Sequence, residues 1–435
     1  MLRTPRHRNV VTRVVSRSAP LAVLFALLCL VAPQAAVAAP GPTTAGLSPP
    51  RSAGAPQVPP PTVRRPVGTA SLHLVDAGRR DPWRADAATR ELMATLWYPA
   101  LSGRGERAPY MSAELSTVLF GGPEASRVRT GSLVGVPPAP GSHALIVLSP
   151  GFGLSRTSLT ALAEDLAARG YAVAALDHTY ETAVQFPDGR VEHCLICDRV
   201  DDQRAAEVTL SRAKDIRFLI DRLTAGPGSG PGAETGAGPG SGPGTEPASG
   251  PGTEPGSGPG SGPGSGLVRG LRIDRSRIGV AGHSLGGASA IEAMHEDGRI
   301  RAAADLDGDF FVPPPVDGLA RPVLLLGAQR GGDSSPAANW ERTWKHLTGW
   351  KRWLDLPEGG HLTFCDLHWL VDAFGVRDQV PPDVAPEQYG TIKGARGLVA
   401  TRAYLGAFFD RHLLGRPGPL LDHPSAAYPE VRLLK

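Results

Sequence analysis

A serine lies between two glycines in the sequence Gly-His-Ser-Leu-Gly at residues 282–286. An apolar run at 277–281 precedes this motif and a small-residue run beginning at Gly287 follows it, so the pattern predicts a strand, a tight turn and a helix. Such a turn needs glycine because a Cβ atom would clash there. The turn exposes the serine hydroxyl, and the helix N-terminus points at the negative charge that develops when a carbonyl is attacked. The motif therefore predicts Ser284 as a nucleophile.

A serine hydroxyl needs a base, and in this arrangement the base is a histidine that follows the last strands of a sheet. Residues 351–356 predict such a strand, and His361 follows it after Gly359 and Gly360, which let the loop turn back over the sheet edge. Other histidines fall in predicted helices or in the Pro-rich tail, namely His346, His368, His412 and His423. The order and position predict His361 as the general base.

The acid that would orient this histidine has two candidates. Asp307 comes at the end of a predicted strand at 300–306, just before Gly308. Asp333 follows the next predicted strand, at 322–326. Position at the strand end favours Asp307, and Asp333 is the alternative.

The acidic run around this strand end also raises the question of a calcium site. An EF-hand loop that starts at Asp305 would need glycine at 310 and glutamate at 316, where this chain has Phe310 and Val316. We therefore expect no calcium loop here, and neither a metal nor another cofactor is expected for the reaction.

Two backbone N–H groups are needed to hold the oxyanion that forms on the attacked carbonyl. One is expected from Leu285, directly after the nucleophile. The other is expected from the Ser-Pro-Gly-Phe-Gly loop at 149–153, which follows an early apolar strand. Its glycines permit a turned-in backbone, and Phe152 is the predicted donor.

The elements that position these residues alternate between strands and helices, which predicts an α/β fold with a mostly parallel sheet covered on both faces. In such sheets, functional groups gather at the carboxyl ends of the strands. The predicted strands are 93–98, 144–148, 171–176, 277–281, 300–306, 322–326 and 351–356. The predicted helices are 158–169, 202–223, 286–295, 337–347 and 394–414.

Several motifs in this order resemble the secreted platelet-activating-factor acetylhydrolase family and its bacterial lipase-like relatives. They are Leu-Trp-Tyr-Pro at 96–99, Ser-Pro-Gly-Phe-Gly at 149–153, Gly-His-Ser-Leu-Gly-Gly at 282–287, Leu-Asp-Gly at 306–308, Gly-His-Leu-Thr-Phe-Cys-Asp at 360–366 and Phe-Phe-Asp-Arg-His-Leu at 408–413. The resemblance runs from about residue 90 to 415. It implies the α/β-hydrolase fold, and it supports Asp307 as the acid.

The resemblance also implies a reaction class, which is metal-free hydrolysis of short or oxidised acyl esters. Oxyanion donors at Phe152 and Leu285 would follow from it as well. One departure is Pro150, where relatives often carry histidine, although backbone donation by Phe152 stays available. The aromatic residues Phe310, Phe311 and Trp369 are candidates to line an acyl pocket, with core packing as the alternative.

The family does not fix the substrate, and three other functions stay open. Related bacterial enzymes include polyester hydrolases, so a cutinase-like or general lipase activity could use the same residues. Amide or thioester cleavage would also fit them. A non-catalytic binding protein is the remaining alternative, because a fold alone does not imply a function. The expected partner is a small-molecule or lipid ester, with transient contact to a lipid surface where the ester is a lipid.

The N-terminal region predicts export. Residues 1–38 combine a basic start, an apolar run at 19–31 and a small-x-small cleavage pattern at 36–38, which together are typical of a cleaved signal peptide. Without this region the chain has 40 basic and 42 acidic residues and shows no basic stripe, so nucleic-acid binding is not expected. The protein is therefore expected to be secreted.

Two segments of low complexity set the predicted domain bounds. Residues 39–66 are rich in proline and predict a flexible linker, which leaves 67–435 as one hydrolase domain. Residues 225–266 repeat Gly-Pro-Gly-Ser and cannot bury enough apolar area to offset their ordering entropy. They predict a disordered insertion within that domain.

Three cysteines follow the predicted signal peptide: Cys194, Cys197 and Cys365. In an oxidising compartment two of them can pair. The Cys-x-x-Cys spacing would also suit a redox or zinc site, but no second cysteine pair is present and the segment does not open a helix after a strand. A structural disulfide on a loop is the preferred interpretation, and the pairing among the three stays open.

Overall fold

The structure is a computed structural model that describes residues 55–198, 200–225, 268–328 and 336–435. The predicted signal peptide lies outside these residues, as do most of the predicted linker, nearly all of the predicted insertion and the alternative acid Asp333. None of the helices in the described ranges is both long and apolar enough to cross a bilayer.

The strands in the described part of the chain are numbered in chain order. They are β1 Val67–Asp76, β2 Arg90–Pro99, β3 Glu106–Pro109, β4 Arg129–Val134, β5 Ser142–Ser149, β6 Ala172–Asp177, β7 Val184–Gln185, β8 Val191–Glu192, β9 Arg272–His283, β10 Ile300–Leu306, β11 Val323–Ala328, β12 Lys351–Leu356 and β13 Arg432–Leu433.

The helices are numbered in the same way. They are α1 Ala113–Phe120, α2 Thr160–Arg169, α3 Asp202–Thr224, α4 Leu285–Glu296, α5 Pro336–Trp344, α6 Asp366–Phe374, α7 Ala385–Tyr389 and α8 Gly394–Leu414. Short 3-10 helices cover Pro123–Arg127, Arg156–Leu159, His361–Phe364, Arg377–Gln379 and Pro419–Leu421.

One large sheet organises the fold, in the order β13-β12-β11-β10-β9-β5-β6-β2-β1-β4-β3. Its centre is parallel: β6, β5, β9, β10, β11 and β12 all run the same way. Antiparallel pairs extend the sheet, with β2 on β6 and β13 on β12. The prediction of an α/β fold with a mostly parallel sheet is confirmed, and the carboxyl ends of the parallel strands form one edge where loops can meet.

Helices cover both faces of this sheet because its central strands are apolar on both sides. In β5, Ile146 and Leu148 belong to a core shared with α2 and α8, whereas Leu145 and Val147 belong to a second core shared with α3 and α4. All four side chains are almost fully buried. This double burial explains why these strands are continuous apolar runs, without the alternation of a half-exposed strand.

The Pro-rich segment that was predicted as a flexible linker is packed over its described part. Val58 is 1% exposed, and the Arg402 guanidinium donates to the carbonyl oxygens of Pro59 at 2.8 Å and Pro60 at 3.1 Å. Thr62 donates its hydroxyl to Asp165 at 2.7 Å. These contacts are possible because an extended proline-rich chain still offers carbonyl acceptors to a buried arginine. The packed domain therefore begins earlier than residue 67.

The first residue of α6, Asp366, predicts a pH dependence of stability. Burial raises the pKa of this carboxyl group to about 8, against which Arg402 acts only partly. The folded protein therefore keeps a proton on Asp366 at pH values where the unfolded chain has lost it, so this residue lowers the free energy of unfolding as pH rises from about 4 to 8.

We expect Asp366→Asn to be more stable than the parent at pH 8 by on the order of a few kcal/mol, and the difference to shrink toward pH 4. The asparagine side-chain oxygen can still accept from the Ala161 N–H, and the amide nitrogen can donate to the Tyr110 hydroxyl, which in the parent donates to Asp366 Oδ2. Urea unfolding at several pH values measures the effect, with the exposed Asp383→Asn as control. A parallel shift of both variants would contradict the assignment.

Candidate active site

Ser284 lies in the tight turn between β9 and α4. Its backbone has φ 57° and ψ −131°, a region that L-residues rarely occupy. A Cβ atom on Gly282 would lie 2.1 Å from the carbonyl of Gly286, and one on Gly286 would lie 2.1 Å from the carbonyl oxygen of Ser149. The two glycines of the motif are therefore required by close backbone approach, and together they hold Ser284 in its strained conformation.

His361 begins the 3-10 helix that follows β12. Its Nε2 lies 2.9 Å from Ser284 Oγ. The side chain is 20% exposed, so the imidazole borders solvent while its partner atoms face inward. A Cβ atom on Gly360 would lie 2.4 Å from the backbone nitrogen of Tyr389, so the chain can turn back toward Ser284 only with glycine at this position.

Asp307 occupies the end of β10 and meets the other nitrogen of the histidine. Its Oδ2 lies 2.6 Å from His361 Nδ1, and its Oδ1 accepts from the Ala328 N–H at 3.0 Å. An ionised carboxylate can only accept, so Nδ1 carries the proton and Nε2 is left to accept from Ser284 Oγ. The structure thus brings together the predicted nucleophile, base and acid in one hydrogen-bonded line.

Asp305, two residues earlier, is a buried acid with a different environment. It is 0% exposed, and burial together with the charges of Asp307 and Asp309 raises the pKa of its carboxyl group well above the usual range. Its Oδ1 accepts from the Gly308 N–H at 2.9 Å. Burial and the two neighbouring acids therefore disfavour the charged form of Asp305, whereas Asp307 is placed to pair with a protonated imidazole.

His283, within the serine motif, is a site residue that the sequence analysis missed. Its Nε2–H donates to the carbonyl oxygen of His361 at 2.8 Å, and the two rings lie 4.7 Å apart between centroids. A Cβ atom on Gly151 would lie 2.8 Å from His283 Nδ1. His283 thus contacts the histidine loop on one side and the loop at 149–153 on the other. Its place between Gly282 and the nucleophile was the available signal.

The two predicted oxyanion donors lie on either side of this serine turn. Leu285 is the first residue of α4, so its N–H has no acceptor within the helix. Phe152 lies in the loop at 149–153, here called the oxyanion loop, and its N–H finds no partner among the residues that the structure describes. Both side chains belong to one small apolar cluster with Val208, against which Phe311 packs. The two amides therefore belong to neighbouring segments beside Ser284.

A cleft borders α4 near this cluster, with about 430 Å³ of space that includes open solvent. Phe310 and Phe311 line it together with Ala288 and Ile291 of α4, whereas Ser284 and His361 are not among its lining residues. Trp369, the third predicted lining residue, is 7% exposed and packs in the core instead. Trp369 lies on α6, an amphipathic helix whose apolar face points into the core. For Trp369 the alternative of core packing is therefore the one that the structure shows.

A disulfide joins Cys194 to Cys197, and Cys365 is a free, buried thiol. The disulfide loop lies close to the site, because Ile196 and Cys197 pack on the cluster that contains Phe152. The preferred interpretation of the Cys-x-x-Cys spacing as a structural disulfide agrees with this geometry. Within the described ranges, no group of three His, Cys, Asp or Glu side chains is arranged to hold a metal ion.

The sequence is similar to a known family of esterases. A profile of the family described as platelet-activating factor acetylhydrolase, isoform II, matches residues 85–187 and 270–323. A probable 1-alkyl-2-acetylglycerophosphocholine esterase from Arthroderma benhamiae is 28% identical over 305 residues, which is 67% of this chain and 66% of that protein. The match therefore spans slightly less than two thirds of the fungal protein.

A solved structure is more similar. A ferulic acid esterase from Streptomyces cinnamoneus is 51% identical and superposes with a TM-score of 0.76. The superposition covers 88% of this chain and 100% of that one. At this identity the likeness extends beyond the fold to the sequence.

Proposed function

Because this chain belongs to the platelet-activating factor acetylhydrolase-like family of α/β-hydrolase esterases, we propose that it is a secreted serine hydrolase of small carboxylic esters. The proposed chemistry uses Ser284 as nucleophile, His361 as general base and acid, and Asp307 as the group that orients His361.

The observation that supports this proposal most is the hydrogen-bonded line from Asp307 through His361 to Ser284. A strained serine is conformationally costly, and a buried carboxylate is costly unless it is paired. A binding protein that needed only the fold would have no physical reason to keep both. The arrangement is the one required for nucleophilic attack by a hydroxyl at neutral pH.

In the first half of the proposed reaction, Ser284 Oγ attacks the ester carbonyl while its proton moves to His361 Nε2. The positive imidazole is then stabilised by Asp307 at Nδ1. The N–H groups of Phe152 and Leu285 hold the oxyanion, each expected to contribute about 10²–10³ in rate. The tetrahedral intermediate collapses, His361 gives its proton to the departing alkoxide, and an acyl group stays on Ser284.

In the second half, water takes the place of the alcohol. His361 removes a proton from water as the water attacks the acyl carbonyl, and the same two amides hold the second oxyanion. Breaking the bond to Ser284 Oγ returns the proton to the serine and releases the carboxylic acid. No further reactant is needed.

The proposed substrates carry a compact acyl group. Short acyl chains are favoured by the family and by the acetyl ester in the name of the fungal relative, and Phe310 and Phe311 offer apolar surface for the acyl group. A second candidate is a feruloyl ester, favoured by the 51% identity to the Streptomyces enzyme, and the two phenylalanines would stack on its ring.

A substrate panel tests this proposal. We expect kcat/KM to be highest for acetyl or feruloyl esters and to fall with aliphatic acyl length, because the two named relatives are esterases of an acetylated phosphocholine and of ferulic acid. The panel contains nitrophenyl esters of increasing length, 1-alkyl-2-acetylglycerophosphocholine, methyl ferulate and a polyester film. The same lipid ester in vesicles tests contact with a lipid surface. Highest activity on long-chain esters or on polyester would overturn the assignment.

Export is part of the proposal. It is supported by the signal-like pattern at residues 1–38 and by the disulfide between Cys194 and Cys197, since disulfides persist in oxidising compartments. We expect protein recovered from culture medium to begin near Ala39, as measured by N-terminal sequencing. Protein that stays cell-associated and begins at Met1 would contradict cleavage.

A further inference from the structure

A cluster of buried charges lies directly behind the oxyanion loop. We call it the buried ionic cluster, and its members are Arg79, Asp81, Arg90, His178, Glu181, Arg212 and Asp215. Three guanidinium groups face three carboxylates. Arg90 links them, because it lies 2.7 Å from Asp81, 2.8 Å from Asp215 and 3.7 Å from Glu181. Charges buried this deeply are tolerated only when paired and hydrogen-bonded.

The first tie to the oxyanion loop runs through His178. Its Nε2 lies 2.9 Å from Ser149 Oγ and its Nδ1 lies 2.8 Å from Asp215 Oδ2. Burial and the charge of Arg212 lower the pKa of His178, so the imidazole is neutral, donates from Nδ1 and accepts the Ser149 hydroxyl at Nε2. These are the residue types of a catalytic triad, but all three are 0–1% exposed. Since no substrate can reach them, their role is to hold the end of β5.

The second tie is made by Arg212 of α3. Its Nη1–H donates to the carbonyl oxygen of Pro150 at 2.6 Å, and its Nε–H donates to Glu181 Oε2 at 2.5 Å. The guanidinium carbon also lies 5.9 Å from the centre of the Phe152 ring. Pro150 has no N–H of its own, so its carbonyl is the group by which this residue can be fixed. Arg212 is 1% exposed and is held by Glu181 against the loop.

The third tie fixes the far end of the loop. The Gly153 N–H donates to the backbone carbonyl of Glu181 at 3.1 Å, and the Thr182 hydroxyl donates to the Gly153 carbonyl at 3.1 Å. The loop is therefore held before Phe152 by Arg212 at Pro150 and after Phe152 by the segment that carries Glu181 at Gly153. Phe152 itself is left with its N–H unused among the described residues.

We propose that the buried ionic cluster holds the oxyanion loop in its anion-binding shape before substrate arrives, and that Arg212 is the positioning residue that sets the Phe152 N–H. This inference rests on the proposed function. A hydrogen-bond donor stabilises a transition state well only when it needs no reorganisation during the reaction. If the peptide groups of the loop could rotate freely, they would have to be reoriented in each catalytic cycle, and part of the transition-state stabilisation would be lost.

Arg212→Lys tests the proposal, because lysine keeps the positive charge but cannot bond Pro150 and Glu181 with one rigid fork. We expect kcat on nitrophenyl acetate to fall about 10- to 100-fold with KM changed by less than about threefold, since the loop acts on the transition state. Affinity for a trifluoromethyl ketone, whose adduct with the serine carries an oxyanion, should weaken by the same factor as kcat/KM.

The matched control is Arg402→Lys. Arg402 is 2% exposed and also donates to backbone carbonyl oxygens, those of Ala161, Pro59 and Pro60, but it does not touch the oxyanion loop. We expect this variant to lose thermal stability and to keep kcat within about threefold of the parent. Equal effects of the two substitutions on kcat would overturn the proposal, because they would show a general loss of packing.

A milder variant covers the case in which Arg212→Lys does not fold. Ser149→Ala removes one tie and leaves the charges in place; we expect kcat to fall about three- to tenfold with KM unchanged. An unchanged kcat in Ser149→Ala would then overturn the proposal. Failure of the proposed function is distinguishable, because the parent itself would hydrolyse none of the esters in the substrate panel.

Discussion

Replacing Ser284 by alanine is expected to lower kcat for ester hydrolysis about 10⁴- to 10⁶-fold, because the acyl-enzyme can no longer form. The substitution removes the hydroxyl that lies 2.9 Å from His361 Nε2 and leaves the turn geometry in place. The measurement is hydrolysis of nitrophenyl acetate, together with covalent labelling by a fluorophosphonate. Labelling of the parent and loss of labelling in the variant are both expected.

Ser289→Ala is the matched control, since Ser289 lies on α4 one turn after the nucleophile. It is fully buried, and its hydroxyl donates to the Leu285 carbonyl oxygen at 2.6 Å. We expect this variant to keep kcat within about threefold of the parent, since hydroxyl loss within a helix leaves its backbone hydrogen bonds intact. Residual activity of Ser284→Ala within tenfold of the parent would refute nucleophilic catalysis by this serine.

Replacing Asp307 by asparagine is expected to lower kcat about 10³- to 10⁴-fold. The amide can donate to His361 Nδ1, which leaves Nε2 protonated and unable to accept the Ser284 proton. It also removes the negative charge that stabilises the imidazolium. The steady-state rate should recover partly at high pH, where hydroxide can replace the lost base, and a pH–rate profile measures this recovery.

Asp305→Asn provides an unusually close control, with the same change two residues earlier on the same strand. Burial and the charges of Asp307 and Asp309 raise the pKa of the Asp305 carboxyl group well above the usual range, so its neutral form is favoured. An amide is nearly isosteric with a neutral acid and can still accept from the Gly308 N–H through its oxygen. We expect kcat to change by less than about threefold. A large loss of kcat in Asp305→Asn together with a small loss in Asp307→Asn would indicate that Asp305, and not Asp307, is the acid that orients His361.

The central strands could be predicted because their burial on both faces leaves a pattern within each short stretch of sequence. Strands buried on both faces are continuous apolar runs, and β10 and β12 begin and end where the sequence indicates. The strands β1, β4 and β3, which form one end of the sheet, were not predicted. Most residues in β1 alternate between buried and exposed from Ser71 onward, and β3 has four residues and ends in Pro109. Such strands are specified by their neighbours more than by their own composition.

The residues of the candidate site also fall into those that the sequence could predict and those that it could not. Ser284, His361 and Asp307 could be located because tight turns at strand ends leave a glycine signature, and the structure brings these three side chains together. Their catalytic roles stay predictions until the variants are measured. The contact of His283 with the His361 loop and the tie of Arg212 to Pro150 join residues 78 and 62 positions apart. No spacing rule connects such pairs, so they emerge only from the folded chain.

The hydrogen bonds of Arg402 to the Pro-rich segment limit how far the N-terminus of the protein can be truncated. A shortened protein that starts at Val67, where the sequence suggests the boundary, would leave two of the Arg402 guanidinium donors without their acceptors at Pro59 and Pro60. It would also uncover the pocket that Val58 fills. Truncation before Ala55 spares these contacts, so the proline-rich stretch acts as a strap that belongs to the enzyme and not to the leader.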